Sequence, residues 1–440
     1  MTTIPQIAAA MHHVLTTVAD RAGRLSRMVE RSDAKLTGSI FTQTLVFGLG
    51  ANPHASLSTL TQTTADLGVR VSVEALHQRF DREAALCLEQ VLYAAVRQVV
   101  AADPVVLPVL DRFPAVVVQD STTIILPEVL APIWTGCGGA PHAGNAALKL
   151  QLALDLCTGR LLGPQLHNGR ESDRNATLDR DLPPGAVRIV DLGFWDLTAL
   201  ADLQTRGVYW FSRAQATTKV QTADDRWWNL LDLLEDQGTQ PLDLAVRLGQ
   251  EAQVPARLIA VPVPEAVAAQ RRADLHQEAR DTGKPVSAVR LALARWSIFV
   301  TTIPVALLSL DEALLLGAAR WQIELLIKLW KSHGQIDLVR DVNPWRVLCE
   351  LYGRLLGQIV QHWLLLVSCW AEPARSLTKA AQTVRTHWVC LAQGMRRPGR
   401  LIEAIEDLMR AIQSGCRMNP RRKKPNLYQR FLASAASCAT

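Results

Sequence analysis

Apolar positions in residues 1 to about 105 recur at helical spacing with few strand signals, so this stretch is predicted to be helical. Within it, "SLSTLTQTTADLGVRVSVEALHQRF" divides at Gly68 into two short helices with Ser56 and Ser72 as their N-caps. A serine hydroxyl at such a place accepts from an amide that the helix itself leaves without a partner. Two such helices joined by a tight turn make a helix-turn-helix, with Glu74, His77, Gln78 and Arg79 exposed on the second and available to DNA. Any small helical hairpin gives the same pattern.

From Pro108 the pattern changes to strands: "AVVVQDSTTIIL", "LKLQLALDL" and "LLGPQLHNG", then "AVRIVDLGF" and "VYWFSRA". The last two flank "DLTALADLQTRG", which reads as a crossover helix, so the expected fold is a mixed sheet with helices packed on it. Residues 220–293 have a poorer pattern, rich in proline and with a polar helix "EAVAAQRRADLHQEARD"; they read as an insertion. "WSIFVTTIP" resumes as a strand, and the chain from "PWRVLCELYGRLLGQIVQHWLLLVSCW" onward is helical.

Between these lies "ARWQIELLIKLWKSHGQ", predicted as one helix from Gly317. At about 100° per residue, Arg320, Glu324, Lys328 and Lys331 fall in one stripe roughly 80° wide. Leu316, Ile323, Leu325, Leu326, Ile327, Leu329 and Trp330 cover the rest, which predicts a buried helix with one charged stripe. A solvated stripe of spaced pairs, each stabilising by about 0.2 to 0.5 kcal/mol, is the plainer reading.

Length and charge add bounds. At 440 residues the chain is expected to form two or three units. The net charge of +6 matters only where it concentrates, as it does at the end, where Arg417, Arg421, Arg422, Lys423, Lys424 and Arg430 have no acid among them. The eight cysteines show no CxxC pair and no zinc-finger partner, the usage of a reducing compartment. The N-terminus lacks signal-peptide features, and "WLLLVSCW" is far short of the ~20 residues that span a bilayer. A soluble, cytoplasmic, nucleoid-associated protein is expected.

Two acids interrupt the apolar strands: Asp120 in "VVVQDSTT" and Asp191 in "RIVDLGF". Burying a carboxylate is costly unless it is paired or binds a cation. Each has a local explanation: an Asx turn with Ser121 and Thr122 for Asp120, and a turn or cap for Asp191, although Asp196 is better placed to cap the next helix. Together with Glu324, however, they make the hard oxygen set that Mg²⁺ prefers. Two such ions about 3.5 to 4 Å apart activate a water or 3′-hydroxyl on one side of a phosphodiester and stabilise the leaving oxygen on the other.

"QDSTT", "VDLGFWDL", "YWFSR", "TTIP" and "RWQIELLIKLWKS", in that order, closely resemble the DDE transposases of bacterial insertion sequences, nearest the insertion-sequence-four type group, over about residues 110 to 365. The most specific part is a signature of Tyr, two residues, Arg, three residues, Glu, six residues, Lys. Arg320, Glu324 and Lys331 match it; Gly317 stands where the Tyr is expected. The resemblance implies an α/β fold: an RNase H-like mixed-sheet catalytic core at 106–365 with a β-rich insertion at 220–293. A helical DNA-end-binding region at 1–105 and a helical C-terminal region at 366–440 would flank it. It implies Asp120, Asp191 and Glu324 as catalytic, metal-binding acids, with Mg²⁺ as two ions and Mn²⁺ as an acceptable substitute. Arg320 and Lys331 would contact phosphates at the cleaved end. Trp321 is a candidate to stack on a distorted base, or a core residue, and Lys328 is a further DNA-binding candidate. Arg213, Lys149, His167 and Lys219 are candidates for backbone contact, with sheet-edge roles as the alternative. The implied partner is double-stranded DNA, at element ends and target, with a dimer on paired ends. The implied activity is cut-and-paste transposition. The alternatives are a DNA-binding relative without catalysis and an RNase H-like nuclease without strand transfer.

Overall fold

The computed structural model of the chain describes residues 3–102, 107–138, 144–370, 372, 374–419 and 429–430; the basic run 421–424 lies outside them. The chain divides into two compact units. One comprises residues 1–105, 121–172 and 322–428, the other residues 106–120, 173–321 and 429–440.

The first unit is mostly helical, as the apolar spacing predicts. Its N-terminal helices are α1 (Ile4–His12), α2 (Ala19–Leu25), α3 (Gly38–Ala51), α4 (Leu57–Asp66), α5 (Val73–His77) and α6 (Arg82–Arg97). Ser56 and Ser72 cap α4 and α5 as expected, accepting from the amides of Thr59 and Ala75. Glu74, His77 and Gln78 are exposed, but Arg79 is not free: its guanidinium donates to the Met28 carbonyl at 2.9 Å. The second part of strand β1 (Val116–Leu126) and the antiparallel pair β2 (Ala146–Asp155) and β3 (Leu161–Asn168) belong here too.

In the second unit, β1 pairs in parallel with β4 (Val187–Val190), and β4 with β5 (Tyr209–Arg213). The crossover between β4 and β5 is α7 (Leu197–Thr205), capped by Asp196 through the amides of Thr198 and Ala199. The segment predicted as an insertion supplies β6 (Lys219–Gln221), β7 (Trp227–Asn229), α8 (Leu230–Asp236), β8 (Leu242–Leu248), β9 (Val254–Pro262), α9 (Glu265–Thr282) and α10 (Ala288–Leu293). Strand β10 (Trp296–Thr301) runs antiparallel to both β5 and β9. The strand order among the described residues is β3-β2-β1-β4-β5-β10-β9-β8-β6-β7, a mixed α/β fold. Trp210, Leu200, Leu203, Leu258, Val300 and Leu230 join its sheet and helices in one apolar core.

Next comes α11 (Leu310–Ala319), whose approach is fixed by two arginines. Arg112 makes a bidentate pair with Glu312 at 2.9 and 2.6 Å and donates to the Leu307 carbonyl at 2.8 Å. Arg257 makes a bidentate pair with Asp243 and donates to the Leu308 carbonyl at 2.6 Å. The hydrogen bond from Arg112 holds the Glu312 carboxyl below its ordinary range.

The single helix predicted across residue 320 is two helices. α11 ends at Ala319, Arg320 caps it, and α12 (Trp321–Ser332) begins afresh. Nor is the second helix buried all round. Trp321 is 55% and Leu325 43% exposed, while Ile323, Leu326, Ile327, Leu329 and Trp330 face a core. The last helices are α13 (Pro344–Leu365), α14 (Leu377–Gly394) and α15 (Pro398–Gly415). α13 is the centre of the first unit, buried from Val347 to Leu365 and packed by α3 and α6. Among the described residues no helix is long and apolar enough to cross a membrane.

Candidate active site

β1 runs unbroken through residue 120, so Asp120 lies inside a strand and the Asx-turn explanation does not apply. Val116, Val117 and Val118 of β1 pair with Val187, Arg188 and Ile189 of β4. The same offset carried two residues further sets Asp120 opposite Asp191, the residue that follows β4. Neighbouring strands lie about 4.8 Å apart, so this offset, continued past the last pair, would bring positions 120 and 191 side by side.

Asp191 is also a cap. Its Oδ1 accepts from the Leu192 amide at 2.8 Å and starts the 3₁₀ turn Leu192–Phe194. Its Oδ2 lies 3.5 Å from the Arg320 guanidinium, a pairing the sequence did not suggest. On the opposite face of the strands, Arg188 was not singled out in the sequence although it interrupts "VRIV" as Asp120 interrupts "VVVQDSTT". It donates to Gln119 Oε1 at 3.1 and 3.2 Å, pairs with Asp179 at 3.2 Å, and sits over the Phe194 ring. Burial pulls its guanidinium below the ordinary arginine value. Through Phe194 it braces the turn that Asp191 begins.

Glu324 belongs to the first turn of α12 and Lys331 to its last, an order that also suits the helix dipole. Both are half-buried, and Lys328 is exposed. Trp321 presents its ring to solvent, so the core role considered for it does not hold. Gly317 has a clear neighbour: a Cβ there would come within 2.5 Å of the Phe299 ring, which itself stacks on Phe211 at 5.0 Å. Phenylalanine from β10 thus fills the space beside α11 that any side chain at 317 would enter.

The weaker candidates separate. Arg213 ends β5 and is exposed. Lys149 donates to the Glu171 carbonyl, and His167 pairs with the Glu171 carboxylate at 3.0 Å, so both already serve the β2–β3 pair. Lys219 spans the β6–β7 pair to Asn229 at 2.6 Å. Among the described residues no three His, Cys, Asp or Glu side chains are grouped so as to hold a metal ion. What the fold does provide is Asp120 within β1, Asp191 just past the end of its parallel neighbour β4, and a guanidinium holding positive charge against Asp191.

A family model described as "Transposase DDE domain" matches residues 111–357. The chain is 25% identical over 390 residues to the transposase for insertion sequence element IS231F of Bacillus thuringiensis subsp. israelensis, covering 82% of this chain and 81% of that one. It is 25% identical over 399 residues to the transposase for IS231C of Bacillus thuringiensis subsp. berliner, covering 83% and 82%. With the transposase for IS1151 of Clostridium perfringens the identity is 22% over 276 residues, 58% of each.

Proposed function

The chain belongs to the DDE transposase family, enzymes of insertion sequences that act on DNA, and from that premise we propose that Asp120, Asp191 and Glu324 are its metal-binding acids. We place it nearest the insertion-sequence-four type group, with a core of residues 106–365 interrupted at 220–293, an end-binding region at 1–105 and a helical C-terminal region. The strand order β3-β2-β1-β4-β5, with β1, β4 and β5 parallel, supports an RNase H-like core.

The family implies a divalent metal, and carboxylate oxygens are the hard donors that Mg²⁺ takes. When bound, such an ion supplies Lewis-acid activation of the attacking oxygen and charge stabilisation at the leaving one. The chain's own residues do the rest. Arg320 and Lys331 hold phosphate oxygens at the cleaved end, with Lys328 and Arg213 flanking them, and Trp321 stacks on a distorted base there. Water first cleaves the phosphodiester at the element end and frees a 3′-hydroxyl. That hydroxyl then attacks a target phosphodiester: its oxygen bonds to phosphorus as the target's own P–O3′ bond breaks. The substrate is double-stranded DNA, and a dimer pairs the two ends.

The observation that supports this reading most is the parallel register of β1 and β4, which leads toward Asp120 on one strand and Asp191 after the other, with Arg320 3.5 Å from Asp191. Melting temperatures with and without Mg²⁺ test it. An ion stabilises the fold according to its affinity for the folded state. Mg²⁺ is expected to raise the melting temperature of the wild type, and of Glu324→Gln by less. An equal rise in both proteins would remove Glu324 from the site.

A further inference from the structure

In the first unit, a cleft of about 660 Å³ opens between α5 and two segments of chain near residues 35 and 70. Lys35, Arg70 and Arg79 line it together with Ser72, Ala75 and Gln78, and no carboxylate does. Arg79 is fixed by the Met28 carbonyl. Arg70 and Lys35 are both exposed, and among the described residues neither forms an ion pair. A concave surface with three cations and no anion attracts a polyanion.

The helix beside the cleft says how the polyanion is met. Ser72, Ala75 and Gln78 recur every three residues, so one face of α5 turns into the cleft. α5 has five residues, which at 1.5 Å per residue make about 7.5 Å of helix. A helix that short offers only a few side chains to base edges. Its surroundings offer positive charge instead, which is what phosphate contacts use and which carries no sequence information.

We infer that Lys35 and Arg70 grip the phosphate backbone of DNA in this cleft, so that the α4–α5 hairpin adds affinity without sequence preference. The inference rests on the reading that DNA is the substrate. It differs from the helix-turn-helix expectation in assigning the contact to phosphates.

The test is fluorescence anisotropy with the full chain across a salt series, using as probes one duplex carrying the element's terminal sequence and one of arbitrary sequence. Each phosphate contact contributes about 0.9 to the slope of log affinity against log salt. Lys35→Gln with Arg70→Gln is expected to flatten the slope by about 2 and to weaken both duplexes by the same factor. Lys35→Arg with Arg70→Lys is expected to restore the slope, which separates charge from folding. An unchanged slope, or a loss confined to the terminal duplex, overturns the inference. So does displacement of either duplex by inorganic phosphate at matched ionic strength, which would make the cleft a site for the free anion. Metal-dependent cleavage by the unmodified chain tests the underlying reading separately: a chain that cleaves DNA, but whose slope ignores the double substitution, rejects the cleft alone.

Discussion

Single residues carry more than one duty around the acids. Asp191 caps a turn through one oxygen and meets Arg320 through the other, and at 38% exposure of its side chain that ion pair contributes at most about 1 kcal/mol. Asp191→Asn should therefore fold normally. Gly317 has a steric duty. Because the Phe299 ring occupies the space where its Cβ would stand, Gly317→Tyr recreates the family signature at the cost of overpacking. The expected loss is about 1 to 3 kcal/mol in denaturant unfolding, partly recovered by adding Phe299→Ala. Unchanged stability in Gly317→Tyr would mean that Phe299 yields freely. Arg188 shows what a residue-level reading leaves out. A buried charge in an apolar strand is visible in sequence, but that it braces the turn below Asp191 depends on Asp179, Gln119 and Phe194, which the fold gathers.

Elements were legible where a single period ran through them. The β1, β4 and β5 strands and the α7 crossover follow from apolar runs bounded by turn residues, and the capping serines of α4 and α5 follow from hydroxyl chemistry. The division at Arg320 was not legible, because the helical spacing runs through it without a break, whereas the start of α11 is marked in the sequence by the Ser309–Glu312 capping box. The exposure of Trp321 and Leu325 was hidden for a similar reason: apolarity alone does not say which side of a helix meets a neighbour. The three-residue strands β6 and β7 are too short to show a period. α13 offers a test at this scale. His362 is buried in it and bonds the Gly159 carbonyl at 2.8 Å; burial pulls its pKa from 6.5 down to about 4. The folded chain thus takes up this proton only near pH 4, whereas the unfolded chain takes it up near its ordinary value. Stability is full above about 6.5 and falls as the pH drops toward 4, by about 3 kcal/mol in all. His362→Gln should flatten that part of the stability–pH curve. A curve parallel to the wild type's would show that other groups cause the acid loss.

At the scale of the whole molecule, residues 1–105 complete the core of the first unit, since α3 and α6 cover α13. A chain that begins after residue 105 is expected to expose α13 and to lose its cooperative thermal transition by circular dichroism; a sharp, unshifted transition would show that the remaining helices pack unaided. The +6 net charge favours a polyanionic partner without choosing a site on it. In the function proposed above, that choice falls to Asp120, Asp191 and Glu324 acting as one metal site. It is tested most directly by strand cleavage of a duplex carrying the element's terminal sequence, with Mg²⁺ present or withheld, by the wild type, Asp191→Asn and Glu324→Gln. Removing a negative charge does not weaken attraction to DNA, so both variants should bind the duplex at least as tightly as the wild type. The wild type should cut only with Mg²⁺, and the two variants should yield no product. Cleavage by either variant at the wild-type rate would contradict the account.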